Sequence, residues 1–114
     1  MDDPKPWPFE DNAASEIRAM DIFEHVMDAV GFMTECHRIL QPRGLLRIQT
    51  ANWEHHTGYD DPTHRRQCTL HSMDYWIPGT QYYQQNLMYG GVAFERVQTS
   101  VTPSAQLLFV LRKP

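Results

Sequence analysis

The stretch from Asp28 to Ala51 constrains the fold more than any other part of the chain. Asp28 has the short acceptor side chain that caps a helix, and residues 29–40 then place Val30, Met33, Cys36 or His37, and Leu40 on one helical face. Gln41-Pro42-Arg43-Gly44 stops that helix, because Pro42 cannot continue the hydrogen-bond ladder and Gly44 is suited to a left-handed backbone. Extended runs lie on both sides. Residues 16–22 alternate polar Glu16 and Arg18 with Ile17 and Ala19 before Met20, Asp21 and Ile22, and residues 45–51 read as a second strand. Strand, helix, strand makes a βαβ unit with a right-handed crossover.

The rest of the chain adds less regular material. Pro4, Pro6 and Pro8 each remove a backbone donor, so residues 1–12 are expected to form an extended arm that ends at the turn Asp11-Asn12. Residues 52–67, "NWEHHTGYDDPTHRRQ", have no useful period and form a long loop of the kind that is functional or held by its own contacts. A short helix is predicted over 69–76, capped by Thr69, with Met73 and Trp76 on one face and Pro78-Gly79 closing it. Residues 92–101 and 106–112, separated by Thr102-Pro103-Ser104, predict an antiparallel hairpin and hence a mixed sheet.

With 114 residues, the chain is expected to be one domain, 1–114, with one core. A net charge of −4, with Lys and Arg scattered apart from Arg65-Arg66 and Arg112-Lys113, argues against a nucleic-acid footprint. No apolar run is long enough to span a membrane, and the start of the chain has neither the basic residues nor the apolar stretch of a signal peptide, so a cytoplasmic location is expected. Cys36 and Cys68 sit in different contexts and are expected to be free thiols in a reducing compartment.

These residues also resemble a known family. "WPFEDNAASEIRAMDIFEHV" is similar to the "PFPDNSFDEI…VLEHV" segment of class I S-adenosylmethionine-dependent methyltransferases, "ECHRILQPRGLLRIQTANW" to that family's "E..RVLKPGGLLRI" run, and "FERVQTSV…LLFVLRKP" to its closing hairpin. "DDPTHRR" resembles a loop of one branch of the family. The resemblance implies a truncated Rossmann-like α/β fold: a four-stranded mixed sheet in the family strand order 4-5-7-6, with flanking helices. It also implies that Glu24 and His25 start the helix after the family's fourth strand and that Pro42 and Gly44 form the turn into its fifth. Arg43 stands where the family has a glycine.

The family's cofactor site lies in its first half, where a glycine-rich loop cradles the methionine moiety and an acid holds the ribose. No G-x-G-x-G occurs in this sequence, so no cofactor is expected for the isolated chain, and S-adenosylmethionine only if a partner completes it. Asp2 or Asp3 falls where the resemblance places an adenine-side acid. Asp61, His64 and Arg65 fall in the loop after the family's fifth strand, with His64 a candidate general base and Arg65 an anchor for an anionic substrate. The plainer alternative makes Asp61 a turn cap and packs His64 against Tyr59 or Trp53. Asp21 is a candidate near a transferred methyl group, while Glu24 and His25 equally suit a helix start and a backbone contact. His55, His56, His64, Cys68 and His71 are spread without paired zinc spacing, so no metal site is expected.

Residues 16–22, central in the family sheet, are expected to form an edge with unpaired backbone groups, covered by the proline-rich arm or paired with another chain. The functional expectation is a methyltransferase-like protein, not catalytic alone, that self-associates as a homodimer or binds a partner protein through Glu16 to Ile22. The alternative is a methyltransferase reconstituted with a second chain.

Overall fold

The computed structural model describes residues 5–89 and 91–114. Its sheet has four strands, β1 (Ala14–Met20), β2 (Leu40–Thr50), β3 (Glu95–Val101) and β4 (Leu107–Arg112), in the spatial order β1-β2-β4-β3. β1 runs parallel to β2, while β4 is antiparallel to both β2 and β3. This is the mixed four-stranded sheet, with the strand order 4-5-7-6, that the sequence resemblance implies.

Helix α1 (Ala29–Ile39) crosses from β1 to β2, and Asp28 caps it as predicted, its carboxylate accepting from Gly31 N at 2.9 Å. Phe32, Met33 and Cys36 project from α1 into the core. They meet Ala19, Leu46, Ile48, Leu107, Phe109 and Leu111, which alternate along their strands onto one face of the sheet. The opposite face bears Glu16, Arg18 and Arg47, where the Glu16 carboxylate accepts from the Arg47 guanidinium. β2 therefore lies between two strands, with an apolar side and a polar side.

Several boundaries differ from the sequence reading. β1 begins at Ala14 and ends at Met20, because Asp21 turns out of the strand with φ 58° while its N–H still reaches Gln49 O at 2.8 Å. Residues 41–44 do not separate helix from strand. β2 starts at Leu40 and bulges there, with the register against β1 jumping from Ala14↔Leu40 to Glu16↔Leu45. It is Arg43, at φ 72°, that takes the left-handed backbone expected of Gly44. The helix predicted over 69–76 is instead a series of turns with a 3-10 turn at Asp74–Trp76: Thr69 Oγ1 accepts from His71 N as the predicted cap, but the backbone then closes i→i−3 bonds, from Ser72 N to Thr69 O, Asp74 N to His71 O and Trp76 N to Met73 O. Two short helices were not foreseen: α2 (Thr57–Asp60), inside the long loop, and α3 (Tyr83–Met88).

The arm is not laid along β1. Its described residues turn back onto α1, where Trp7 meets Phe32 edge-on at 5.6 Å and the Arg38 guanidinium gathers Trp7 O, Phe9 O and the carboxylates of Asp11 and Glu35. Among the described residues, β1 pairs with β2 alone.

Candidate functional site

The parallel strands β1 and β2 both end at the same edge of the sheet, and the segments that follow them form the walls of a cleft. After β1, Asp21 and Ile22 lead into a 3-10 turn, Phe23–His25. After β2, residues 52–67 form a loop that is closed at its base, because Asn52 bridges Cys68 and Trp53 N donates to Cys68 O at 3.0 Å. Arg66 ties this loop to the 3-10 turn: its guanidinium lies 5.1 Å from the Phe23 ring centroid and donates to Phe23 O and to Val26 O. Arg65 N donates to Glu24 O at 2.6 Å. Two loops that start on adjacent strands thus become one wall.

The cleft between them has a volume of about 400 Å³ and is lined by Asp21, Glu24, His25, Asp61 and His64, with Gln106 from the approach to β4 on the far side. Gln106 Nε2 donates to Asp21 Oδ1 at 2.8 Å. Glu24 is the buried member, 3% exposed, and its carboxylate accepts the hydroxyl of Thr50, the last residue of β2. Its position is set by that bond rather than by a helix start, since α1 begins only at Ala29. His25 and His64 stand edge to face with ring centroids 4.7 Å apart. His25 Nδ1 lies 3.1 Å from Thr63 Oγ1 and 3.3 Å from Thr63 O, and His64 Nδ1 lies 3.4 Å from Gly58 O.

Asp61 closes the turn in front of them. It accepts from both the hydroxyl and the N–H of Thr63, at 2.6 and 2.8 Å, and these bonds hold its carboxyl below the usual carboxylate range. The turn-capping role read for Asp61 is therefore present. His64 packs against neither Tyr59 nor Trp53 as its main partner but faces His25 and the Gly58 carbonyl.

The remaining candidates fall elsewhere. Arg65 is exposed and lines an adjoining depression that shares Asp61 and His64 with the cleft. Asp2 and Asp3 lie outside the described residues. His55, His56 and His71 are not drawn to the cleft: His56 pairs with Asp60 and His71 with Asp74. Cys68 is buried behind Thr50, its Sγ 3.8 Å from Oγ1, and burial raises its thiol pKa, as it raises that of Cys36 to about 12. The sequence groups Asp21, Glu24 and His25 at the end of β1 but gives no sign that His64, in the loop after β2, joins them. Thr50, the donor that orients Glu24, carried no signal beyond its place at a strand end.

No helix among the described residues is long and apolar enough to cross a membrane.

Comparisons with known proteins fit this architecture. Residues 2–48 match the family model described as a methyltransferase domain, which covers β1, α1 and most of β2. Comparison with curated proteins gives no match. Among solved structures, a chain from the Haloferax volcanii complex between the Trm112 methyltransferase activator and a candidate methyltransferase aligns with a TM-score of 0.67 at 15% identity, covering 99% of this chain and 58% of that one. A SAM-dependent methyltransferase from Aquifex aeolicus aligns at 0.64 and 13% identity, covering 95% and 50%. The [4+2]-cyclase SpnF aligns at 0.64 and 16%, covering 95% and 52%. The chain spans about half the length of these structures. A cyclase on the same scaffold shows that this fold does not choose the reaction. Residues 2–48 are thus similar in sequence to a methyltransferase domain, and the described residues share the Rossmann-like fold of these structures.

Proposed function

We propose that this methyltransferase-like domain is a partner-binding module that supplies the acceptor side of a methyltransferase fold. It is not catalytic alone, and it gains an S-adenosylmethionine site when further strands pair with the outer edge of β1. The observation that carries this reading is the position of the cleft: it opens at the carboxyl end of β1, beside the edge of that strand that no described residue covers. In open α/β sheets, ligands gather outside the carboxyl ends of the strands. A cofactor held by strands added beside β1 would sit across from Asp21, and an acceptor in the cleft would lie between that cofactor and His25, His64 and Asp61. Support for a protein partner comes from the similar structure that is itself a complex with a methyltransferase activator.

The test is isothermal calorimetry with S-adenosylmethionine, on the chain alone and after adding a candidate protein that carries a glycine-rich strand-loop-helix. Binding only in the mixture is the expected result. Micromolar binding by the chain alone would overturn the dependence on a partner.

A second reading, self-association, is favoured by the charge pattern of the edge itself. Two β1 strands paired antiparallel about a two-fold axis at Ile17 would set Glu16 of one copy against Arg18 of the other, twice. Light scattering separates the readings, since a strict monomer at all concentrations rules out this second one and leaves the first intact.

A further inference from the structure

We infer that Glu24, His25 and His64 form a binding site for a divalent transition-metal cation of the zinc class, with its open side toward the cleft. One carboxylate oxygen of Glu24 and one ring nitrogen from each histidine lie within 4.8 Å of one another. The His25 Nε2 to Glu24 Oε1 separation is 3.8 Å, and Asp61, outside that group of three, has its Oδ2 3.7 Å from His64 Nε2. Ligand atoms around a tetrahedral zinc, at bonds of about 2.0–2.1 Å, are roughly 3.4 Å apart, so closing the shell takes about an ångström of side-chain rotation.

The decisive point is which atoms converge. Thr63 Oγ1 donates to Asp61 Oδ1, so it meets His25 Nδ1 as an acceptor, and His25 Nδ1 must carry the ring proton. His64 Nδ1 faces the carbonyl of Gly58, which can only accept, so the same holds there. In the neutral imidazoles both Nε2 atoms are then bare lone pairs, that of His25 3.8 Å from Glu24 Oε1 and that of His64 3.7 Å from Asp61 Oδ2. Three acceptors gathered within 4.8 Å of one another, one of them on a buried residue, repel one another unless a cation stands between them. The surrounding contacts are also those that orient metal ligands: each imidazole is held through its other nitrogen by a backbone carbonyl or a hydroxyl, and the Glu24 carboxylate is held by Thr50. Two imidazoles and one or two carboxylates favour zinc-class ions over magnesium or calcium, which take oxygen shells.

The sequence reading looked for ligands within the loop, among His55, His56, His64, Cys68 and His71, and expected no metal. The cluster instead joins the turn after β1 to the loop after β2, so it has no fixed sequence spacing. It does not depend on the partner reading above, because this chain supplies all three groups.

The experiment uses the full chain without an affinity tag, titrated with zinc chloride by calorimetry and with cobalt chloride by visible absorption. One equivalent should bind, and bound cobalt should develop the intense visible bands of a low-coordinate site. His25→Ala and His64→Ala should each weaken binding by on the order of 100-fold, at least the loss expected for an orienting contact. The double variant H55A/H56A should bind like the parent. Circular dichroism confirms that each variant remains folded, and Glu24→Gln, which keeps an acceptor for Thr50, gives a third variant that should bind weakly. No binding by the parent overturns the inference and leaves a proton as the shared cation. Binding that survives His64→Ala but is lost in H55A/H56A also overturns it, as would saturation by magnesium in preference to zinc.

Discussion

Thr50 ends β2 with its hydroxyl donated to the buried carboxylate of Glu24, joining the last residue of one strand to the turn that follows its parallel neighbour. Thr50 is 0% exposed and Glu24 3%, so water cannot replace that donor. Thr50→Val keeps the shape and removes the hydroxyl, leaving a buried acceptor short of one bond at a cost of about 1–3 kcal/mol. Thr50→Ser keeps the bond and loses one methyl group, worth about 0.8 kcal/mol. Urea denaturation should therefore rank the parent above Ser and Ser above Val, and a Val variant as stable as the parent would mean that Glu24 is held by other contacts.

Arg66 makes the second tie across the cleft wall. Its two donors reach Phe23 O and Val26 O while its plane covers the Phe23 ring. Arg66→Ala strands two carbonyls of the turn and should destabilise the chain by about 1.5–3 kcal/mol, the range for hydrogen bonds to charged groups. Arg66→Lys should recover little, because a single ammonium lacks the planar fork that serves two acceptors and stacks on the ring. Thermal melts of the three proteins check this, and a Lys variant matching the parent would show that charge alone suffices.

The sheet was legible in the sequence because its strands sit where alternation and a helix cap agree, though the proline-glycine stop lies inside β2, and the family resemblance then supplied the order in which they lie side by side. The cleft was only half legible. Asp21, Asp61 and His64 were visible as chemistry-bearing residues at strand ends, but the convergence of His25 and His64 depends on how a 16-residue loop, 52–67, folds back, and no period encodes that path. α3 escaped notice because Tyr83–Met88 exposes most of its side chains and buries only Asn86, so it has no apolar stripe. The predicted helix over 69–76 failed for a different reason. Thr69 does cap the segment, but its backbone closes i→i−3 bonds, from Ser72 N to Thr69 O and from Asp74 N to His71 O, and so winds as 3-10 turns.

Self-association through β1, if it is the working assembly, depends on opposite charges at Glu16 and Arg18. Arg18→Glu would set like charges against each other at two symmetric places, and unfavourable cross-strand pairs of about 0.2–1 kcal/mol each should weaken the dimer by roughly tenfold. Arg18→Lys should leave it intact. Sedimentation equilibrium across a concentration series reads the difference. Hydrogen exchange over Ala14–Met20 gives an independent check, since the outward-facing amides should become protected when the edge is filled.

Acid should loosen the contact between the arm and α1. Glu35 is held below the ordinary carboxylate range chiefly by the Arg38 guanidinium, at 2.9 Å, and also by Trp7 N at 2.6 Å, against an opposing effect of burial. A carboxylate with a depressed folded pKa contributes stability that is fully present above its unfolded value, about 4.3, and is lost as pH falls through the folded value. The melting temperature of the parent should therefore drop below about pH 4.3, with part of that drop due to Glu35. Glu35→Gln should be less stable at neutral pH and lose less on acidification. Parallel pH curves for the two proteins would show that Glu35 contributes nothing to the acid response.

The bulge that opens β2 places its burden on the wrong residue of an Arg-Gly pair. Arg43 adopts φ 72° with its N–H on Lys113 O at 2.8 Å, a conformation that costs a residue with a Cβ about 1–2 kcal/mol, while the glycine beside it has no such φ. Arg43→Gly removes that strain. It also gives up an exposed ion pair with Glu95, worth about 0–1 kcal/mol, and adds unfolded-state entropy worth about 0.5–1 kcal/mol. The midpoints of these ranges leave a net gain of about 0.3 kcal/mol, which for a domain near this size is a rise of about 1–2 °C in Tm. Gly44 is needed for space rather than for φ: a Cβ there would lie 2.9 Å from Gln41 O and 3.2 Å from Ser15 O, both backbone atoms that cannot move aside. Gly44→Ala should therefore destabilise the β1–β2 pairing, and the double variant R43G/G44A should be less stable than R43G. If R43G lowered Tm while G44A left it unchanged, the two residues would have the opposite roles, and the bulge would need a different account.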